Sequence, residues 1–454
     1  MKNKSSSNRI LIVGAGLAGS LLSIYLAKKG FRVEVYEWRP DMRKEKISAG
    51  RSINLALSTR GIHALKEVEL DNEILKKIIP MKGRMIHSIN GKTTFQPYGK
   101  EDWEVINSVS RGHLNMVLMD AAEETGNVQL FFRQKCTGMN FKTGEVYFTD
   151  VQTSKKYRKK PQTIIATDGA NSAIRMSMLK SGRFNFSQSY LEHGYKELAI
   201  PPEENGKFRI EKNALHIWPR KSFMMIALPN LDASFTCTLF LPFEGENSFA
   251  KLNNKSVLKD FYKKQFPDVI SLMPDLEKDF FKNPTGNLVT IKSFPWHVEG
   301  KVLLLGDSAH AVVPFYGQGM NCAFEDCTYL NECIDSQGND WEKVFAEFEK
   351  MRKVDADAIA DLALENFIEM RDSVADPKFL MKKKVEILLE EQFPGKFKSK
   401  YGMVTFSRIP YSNAMEKGRI QDEVLMDLCR QAESIDQVDM NEAYHLINKK
   451  LDES

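Results

Sequence analysis

Arg9-Ile10-Leu11-Ile12-Val13-Gly14-Ala15-Gly16-Leu17-Ala18-Gly19-Ser20 is the stretch that decides the fold. Its apolar run suits a buried parallel strand. A glycine turn follows, and Leu21-Leu22-Ser23-Ile24-Tyr25-Leu26-Ala27 reads as a helix. Gly14, Gly16 and Gly19 form G-x-G-x-x-G. The first glycine permits a tight turn, the second lets backbone approach a pyrophosphate, and the third lets helix pack on strand. The helix N-terminus then offers unpaired N–H groups and partial positive charge to phosphates. A second strand, Phe31-Arg32-Val33-Glu34-Val35-Tyr36, ends at Glu37. A ribose-binding acid is expected roughly 20 residues past the glycines. The glycine motif alone is weak. Strand, helix, second strand and terminal acid in register predict a dinucleotide site in an α/β fold.

Outward from this unit, a polar, basic segment carries Lys44, Lys46 and Arg51, and Arg51 is a candidate for a cofactor phosphate. Ser52-Ile53-Asn54-Leu55-Ala56-Leu57 alternates as a strand should. Two alternating runs flank Asn90-Gly91, which signals a hairpin. A helix is expected to start near Arg111, at a strand-to-helix turn facing the nucleotide edge of the sheet. Residues 128–165 read as strands, with Lys155-Lys156-Tyr157-Arg158-Lys159-Lys160 expected at a solvated hairpin tip. Asp168-Gly169-x-x-Ser172-x-x-Arg175 follows. Residues 184–291 are rich in Phe, Pro and alternating segments and predict a second, mixed or antiparallel sheet. Val302-Leu303-Leu304-Leu305 is another buried strand, ending in Gly306-Asp307. From Trp341 to Leu451 the pattern is largely helical. The predicted class is α/β: a discontinuous Rossmann-like domain (1–75, 100–183 and 292–376), a β-sheet domain inserted in it (76–99 and 184–291), and a C-terminal helical cap (377–454).

Composition narrows the function further. A chain of 454 residues, 42% hydrophobic and 27% charged, has room for two or three lobes with large cores. A net charge of +4 gives no case for a nucleic-acid partner. The six cysteines include no C-x-x-C and read as thiols of a reducing compartment. The histidines include no H-E-x-x-H, so no metal site is expected. Gly14, Gly16 and Gly19 interrupt the N-terminal apolar run, against a signal peptide. No segment reaches the roughly 18 uninterrupted apolar residues of a membrane span. A cytoplasmic protein without membrane anchor is expected.

The N-terminal glycine motif, Asp168-Gly169-x-x-Ser172-x-x-Arg175 and Gly306-Asp307, in that order, resemble the single-component FAD-dependent aromatic hydroxylases, the group of para-hydroxybenzoate hydroxylase. No second G-x-G-x-x-G exists for NADPH, which fits this group. Within it, Gly50 to Leu57, Arg84 to Ser88, Leu215 to Arg220, Phe223 to Pro229, Ser234 to Leu239, Gly317 to Asn321, Phe324 to Cys327, Ile368 to Arg371 and Met403 to Arg408 are similar to the members that hydroxylate L-kynurenine. These segments span nearly the whole chain.

The resemblance implies a monooxygenase of tryptophan catabolism. It would form 3-hydroxykynurenine with FAD, NADPH and O2 through a flavin C4a-hydroperoxide, as a monomer or homodimer. FAD would meet Gly14, Gly16, Leu17, Ala18, Gly19, Glu37, Arg39, Ala56, Arg111, Cys136, Asp168, Asp307, Gly319, Met320 and Asn321. The helix beginning near Met320 would aim its N-terminus at the pyrimidine end of the flavin and favour the anionic reduced form. Arg84 and Tyr98 would hold the substrate carboxylate. Asn366 and Tyr401 would line the same pocket, with Phe315 and Tyr316 near the ring. Asn366, Glu369 and Met370 share a face of a predicted helix. Cys136, Ala166-Thr167 and Ser308 depart from residues common in the group. Eukaryotic members carry a membrane-anchoring tail that this chain lacks. No catalytic acid or base is implied, and His310 reads as structural. The alternatives are a hydroxylase for another aniline or phenol acid, a flavin-binding protein without hydroxylation, and a plain NAD dehydrogenase.

Overall fold

The glycine stretch folds as its sequence demands. In the computed structural model, which describes residues 8–45, 54–373 and 376–453, the strand Arg9–Val13 runs into the helix Leu17–Lys28. Four of the five strand residues are buried, in a core shared with the helix Leu17–Lys28 and with Val146 and Phe148 of a separate three-stranded sheet. That sheet is six-stranded, in the order 297–298, 302–304, 163–166, 9–13, 32–36, 128–131. All its pairings are parallel except that of His297–Val298 with Val302–Leu304. The strand that leads into the glycine motif, Arg9–Val13, lies in the middle, so the C-terminal edge of the sheet gathers Gly14, Glu37, Asp168 and Gly306 on one side.

A seven-stranded sheet forms the second layer, in the order 286–294, 185–200, 235–242, 224–229, 214–219, 83–87, 93–97. It is antiparallel except where Ala214–Pro219 pairs in parallel with Gly83–His87. One face packs on the helix Lys255–Gln265 through Trp218, Phe235, Tyr262 and Phe266. The other face supplies Ile86, Ile217, Met224 and Phe240 to a core shared with Phe315, Ile359 and Phe367. Asn90-Gly91 turns the hairpin as expected, with Gly91 at φ +81°. Three helices, Pro377–Gln392, Tyr411–Gln431 and Met440–Asp452, bury Val385, Leu389, Leu425 and Ile447 in a core of their own.

One expectation changes. Residues 156–159 are not a hairpin tip but the outer strand of a three-stranded sheet, paired with Glu145–Asp150. Lys159 explains why: it binds Glu34 at 2.7 Å and lies over the Tyr36 ring, so it is held inward with Tyr157 while Lys156 and Arg158 face solvent. The strand expected from Ser52 is seen from Asn54 to Leu57, and Arg51 and Lys46 lie outside the described residues. The helix Trp341–Ile368 ends in a π-helical turn, Glu369–Ser373. There Glu369 meets Arg84, while Asn366 meets Met370.

Among the described residues, no helix is long and apolar enough to cross a membrane.

Candidate functional site: a nucleotide cradle and an arginine–tyrosine pocket

The cradle starts at Gly14, whose φ of +102° and position suit only glycine: a Cβ there would lie 2.6 Å from the Thr167 carbonyl oxygen. Thr167 closes the same turn from the neighbouring strand, with its hydroxyl within hydrogen-bond reach of the Val13 and Gly14 carbonyls. Gly16 caps the helix Leu17–Lys28 without a side-chain cap, and nothing lies within 4 Å of where its Cβ would stand. Leu17, Ala18 and Gly19 form the first turn, with no acidic residue in it. Unpaired N–H groups beside open space are what a pyrophosphate requires. Glu37 is buried, and its Oε2 accepts from Ala15 N at 2.9 Å. Its Oε1 accepts from Arg39 N, and the Arg39 guanidinium lies 3.2 Å away.

The opposite wall comes from Gly306 and the helix Gly319–Gln337. A Cβ on Gly306 would stand 3.2 Å from Ala323 Cβ and 3.6 Å from Ala18 Cβ, so the two helix starts meet there. The second helix also begins without a side-chain cap or a first-turn acid, at Gly319 and Met320. Gly317 approaches Ala56 so closely that its own Cβ would lie 2.9 Å from that side chain. Asp307 is held up in pKa by burial, against the opposing charges of Arg111 and His310. Arg111 starts the helix Arg111–Glu124 and so reaches the Asp307 side of the cradle. Burial also raises Asp168, whose Oδ1 is buried without a hydrogen-bond partner while Oδ2 accepts from Ala173 N. Cys136, pushed up to about 12 by burial and by Asp168, lies beside it. The open helix ends, the unclaimed Asp168 oxygen and the glycine cradle fit a polar dinucleotide such as FAD.

The side chain of Asn321 joins the two walls. Its Oδ1 accepts from Ser58 N at 2.9 Å, and its Nδ2 donates to the carbonyls of Ala56 and Gly317. The side chain is spent on bracing the cradle, which leaves its backbone for a cofactor.

The second half of the site is a pocket around Arg84. Arg84 alternates with His87 and Met85 on its strand and faces the same way as Ile86. It is 7% exposed, and its Nε and the Tyr98 hydroxyl are buried without hydrogen-bond partners. Its Cζ lies 4.9 Å from the Tyr401 ring centroid and 5.8 Å from that of Tyr98. Tyr401 stacks on Tyr98 at 5.3 Å and on Tyr316 at 5.5 Å. Burial works against the Arg84 charge, but Tyr401, Tyr98 and Glu369 outweigh it and raise its pKa. Glu369 Oε1 lies 3.7 Å from Arg84 Nη1 and 3.9 Å from Lys383 Nζ. Asn366 Nδ2 donates to the Phe315 carbonyl at 2.7 Å and contacts Met370 Sδ at 3.4 Å. Phe315 itself stacks on Phe367 at 4.2 Å.

Sequence reasoning placed all six pocket residues on the elements that converge here. It passed over Phe406, which meets the edge of Tyr98, and the pairing of Glu369 with Arg84. A π-turn, which often marks a functional site, leaves no clear sequence signature.

Two other groupings bear on chemistry. Asp307, Ser308 and His310 form no triad: the Ser308 hydroxyl lies between the Ala166 and Leu305 carbonyls, and His310 Nε2 is 2.6 Å from Asp326. His310, Cys322 and Asp326 bring ligand-type atoms within 4.8 Å of one another. Arg352 already donates to Asp326 at 2.8 Å and to Cys322 at 3.4 Å, so protein donors occupy that cluster.

Residues 7–339 match the protein family described as FAD binding domain. The whole chain is similar to kynurenine 3-monooxygenase of Myxococcus xanthus, at 51% identity over 99% of this chain and 97% of that one. It is also similar to kynurenine 3-monooxygenase of Dictyostelium discoideum, at 47% identity over 97% and 98%. The chain belongs to the kynurenine 3-monooxygenase family. Among solved structures, 2-methyl-3-hydroxypyridine-5-carboxylic acid oxygenase shares the fold at a TM-score of 0.66 and 19% identity, over 84% of this chain and 97% of that one. The p-nitrophenol 4-monooxygenase PnpA from Pseudomonas putida shares it at 0.65 and 17%, over 92% and 96%. Family membership makes this chain an FAD-dependent oxidoreductase with the fold expected from its glycine motif.

Proposed function

We propose that this enzyme hydroxylates L-kynurenine to 3-hydroxykynurenine, using NADPH and O2. The observation that carries the reading is the buried, incompletely bonded Arg84 among Tyr98, Tyr401 and Glu369. Kynurenine is a zwitterion with an aniline ring. A planar guanidinium suits its carboxylate, and Glu369 is a matching partner for its ammonium. When bound, FAD supplies the redox chemistry that takes electrons from NADPH and delivers one oxygen atom to the ring. The residues in the Gly14–Gly19 turn, with Glu37, Arg39, Ala56, Arg111, Cys136, Asp168, Asp307 and Gly319–Asn321, are assigned to hold it. The chain's own work is positioning and exclusion of water. Arg84 and the Tyr98 hydroxyl fix the amino-acid end. Tyr316 and Tyr401 offer flat apolar faces to the ring. Asn366, bonded to the Phe315 carbonyl, fixes the roof. No side chain is needed as a base, because the ring amino group already donates electrons to the carbon that is attacked.

The domain division stated from sequence goes with this reading: 1–75, 100–183 and 292–376 for FAD, 76–99 and 184–291 for substrate, and 377–454 as cap. The separate cores of the seven-stranded sheet and the C-terminal helices support it. Free thiols at all six cysteines support a cytoplasmic setting.

The test is NADPH oxidation by FAD-loaded protein with and without L-kynurenine, with the product identified by mass. A stimulated rate and a product heavier by one oxygen are expected. Turnover of anthranilate or salicylate but not kynurenine would overturn the substrate, and stimulated peroxide release alone would overturn the hydroxylation.

A further inference from the structure

Gln318 sits inside the Gly317–Gly319 turn and is 2% exposed. Its Nε2 donates to Ser58 Oγ at 3.3 Å, and its Oε1 accepts from the Tyr411 hydroxyl at 2.9 Å. Ser58 lies between the strand that carries Ala56 and the helix Thr59–Glu67, and its backbone N–H is bound by Asn321. Asn321 in turn holds the Ala56 and Gly317 carbonyls. Residues 56–58 and 317–321 are therefore one hydrogen-bonded unit, and both faces of it wall the cradle.

Tyr411 belongs to the other end of the molecule. It opens the helix Tyr411–Gln431, just downstream of the segment that carries Tyr401 and Phe406 into the substrate pocket. Arg60 lies flat on its ring, 3.8 Å from the centroid, and pairs with Glu325 at 2.5 Å. Arg60 also donates to the carbonyls of Val404 and Ile409. Glu325 is shared with Arg352 at 2.9 Å, and Ser412 Oγ donates to Asp355 at 2.7 Å. Arg60, Glu325 and Arg352 are each at most 1% exposed. This ion network fixes where the C-terminal segment docks. Within it, the Tyr411–Gln318 bond is the contact that ends on the cradle turn itself, and Gln318 passes it to Ser58.

We infer that Tyr411 and Gln318 are a positioning pair that ties the roof of the substrate pocket to the walls of the flavin cradle. Occupancy of the cradle then orders the segment bearing Tyr401 and Phe406, and a docked segment in turn steadies the cradle turn. By thermodynamic linkage the coupling is reciprocal. The inference rests on the reading of the cradle as an FAD site and needs no particular substrate.

The experiment is hydrogen–deuterium exchange on the full chain, with and without FAD, for wild type, Tyr411→Phe and Ser58→Ala. Tyr411→Phe keeps the ring under Arg60 and deletes only the hydroxyl. In wild type, FAD is expected to slow exchange across 401–412 about tenfold. In both variants that FAD-dependent slowing is expected to disappear, while exchange without FAD stays as in wild type. Slowing of equal size in wild type and both variants overturns the pair, as does a wild type that binds FAD with no slowing. If Tyr411→Phe does not fold, Ser58→Ala decides. Titration of L-kynurenine with and without FAD adds a second readout. FAD is expected to tighten binding in wild type and to lose that effect in Tyr411→Phe, and an unchanged ratio overturns the inference. A wild type that binds no kynurenine overturns the substrate instead, and the exchange comparison still decides the pair.

Discussion

Arg84 shows how one residue is made into a recognition group. It is buried, so water does not compete for its guanidinium, yet its nearest acid, Glu369, is 3.7 Å away and offers no close bond. Its charge is kept by the tyrosine faces and by Glu369. A substrate carboxylate would complete the set. A charge-assisted contact of this kind contributes about 1.5–3 kcal/mol. Arg84→Ala is therefore expected to raise the kynurenine Kd by about tenfold to a hundredfold, with FAD content unchanged. Arg84→Lys is expected to recover only part of the loss, since an ammonium lacks the planar fork. Calorimetric titration of all three proteins checks this, and an unchanged Kd in Arg84→Ala would remove the carboxylate contact.

At the level of elements, two polar clusters hold strands and helices together. On the face of Gly83–His87 away from the pocket, His87 Nδ1 meets Asp268 and its Nε2 meets His216 Nδ1, each at 2.8 Å. His216 Nε2 meets the Glu211 carbonyl, Trp218 donates to Asp268, and Arg220 bonds the His87 carbonyl. Burial, aided by His87, holds His216 down at about 4, below its ordinary 6.5. The folded protein keeps this imidazole neutral while the unfolded chain takes a proton. Its stabilising contribution is thus complete above about pH 6.5 and is lost as pH falls through 4, a change of roughly 3 kcal/mol. Urea midpoints between pH 7 and 4 should fall in wild type, and the slope should flatten in His216→Gln. A parallel slope in both proteins would mean that other groups carry the acid sensitivity.

The second cluster joins the C-terminal helices. Asp422 pairs with both Lys382 and Lys400, and Lys382 also reaches Glu386 at 3.2 Å. Lys382 is 2% and Lys400 8% exposed, and their charges hold Asp422 down at about 2 against its burial. Asp422→Asn leaves two buried ammonium groups short of a counter-charge, at a cost of about 3 kcal/mol. The drop should appear in the denaturant midpoint at pH 7. An unchanged midpoint would show that water or Glu386 compensates.

For the whole molecule, the cradle draws on segments from the first strand to the helix Gly319–Gln337, so FAD binds only the assembled fold. A ligand at about 100 times its Kd stabilises such a fold by about 2.7 kcal/mol. Addition of FAD to cofactor-free protein should raise Tm by a few degrees. No shift, with FAD shown to be bound, would mean that the unfolded chain binds FAD as well as the folded one does.

Local chemistry made much of this legible. Gly14 must adopt a positive φ, Asn90-Gly91 must turn, and an alternating run must bury one face; each depends on a few neighbouring residues, and each appears where it was read. The strand at 156–159 was missed because its inward lysine is stabilised by Glu34, which is distant in sequence and close in space. Glu369 and the π-turn were missed for a similar reason: the turn type is settled by what packs around it.

The sequence alone determined the central dinucleotide unit, the succession of sheet and helix, and, through resemblance, the residues that meet in the pocket. Only the tertiary structure decided that the Asn321 side chain braces the cradle, that Glu369 faces Arg84, and that Gln318 joins Tyr411 to Ser58. Backbone conformation is written in local side-chain chemistry. A hydrogen bond between residues far apart in the chain exists only after folding has removed water from both ends.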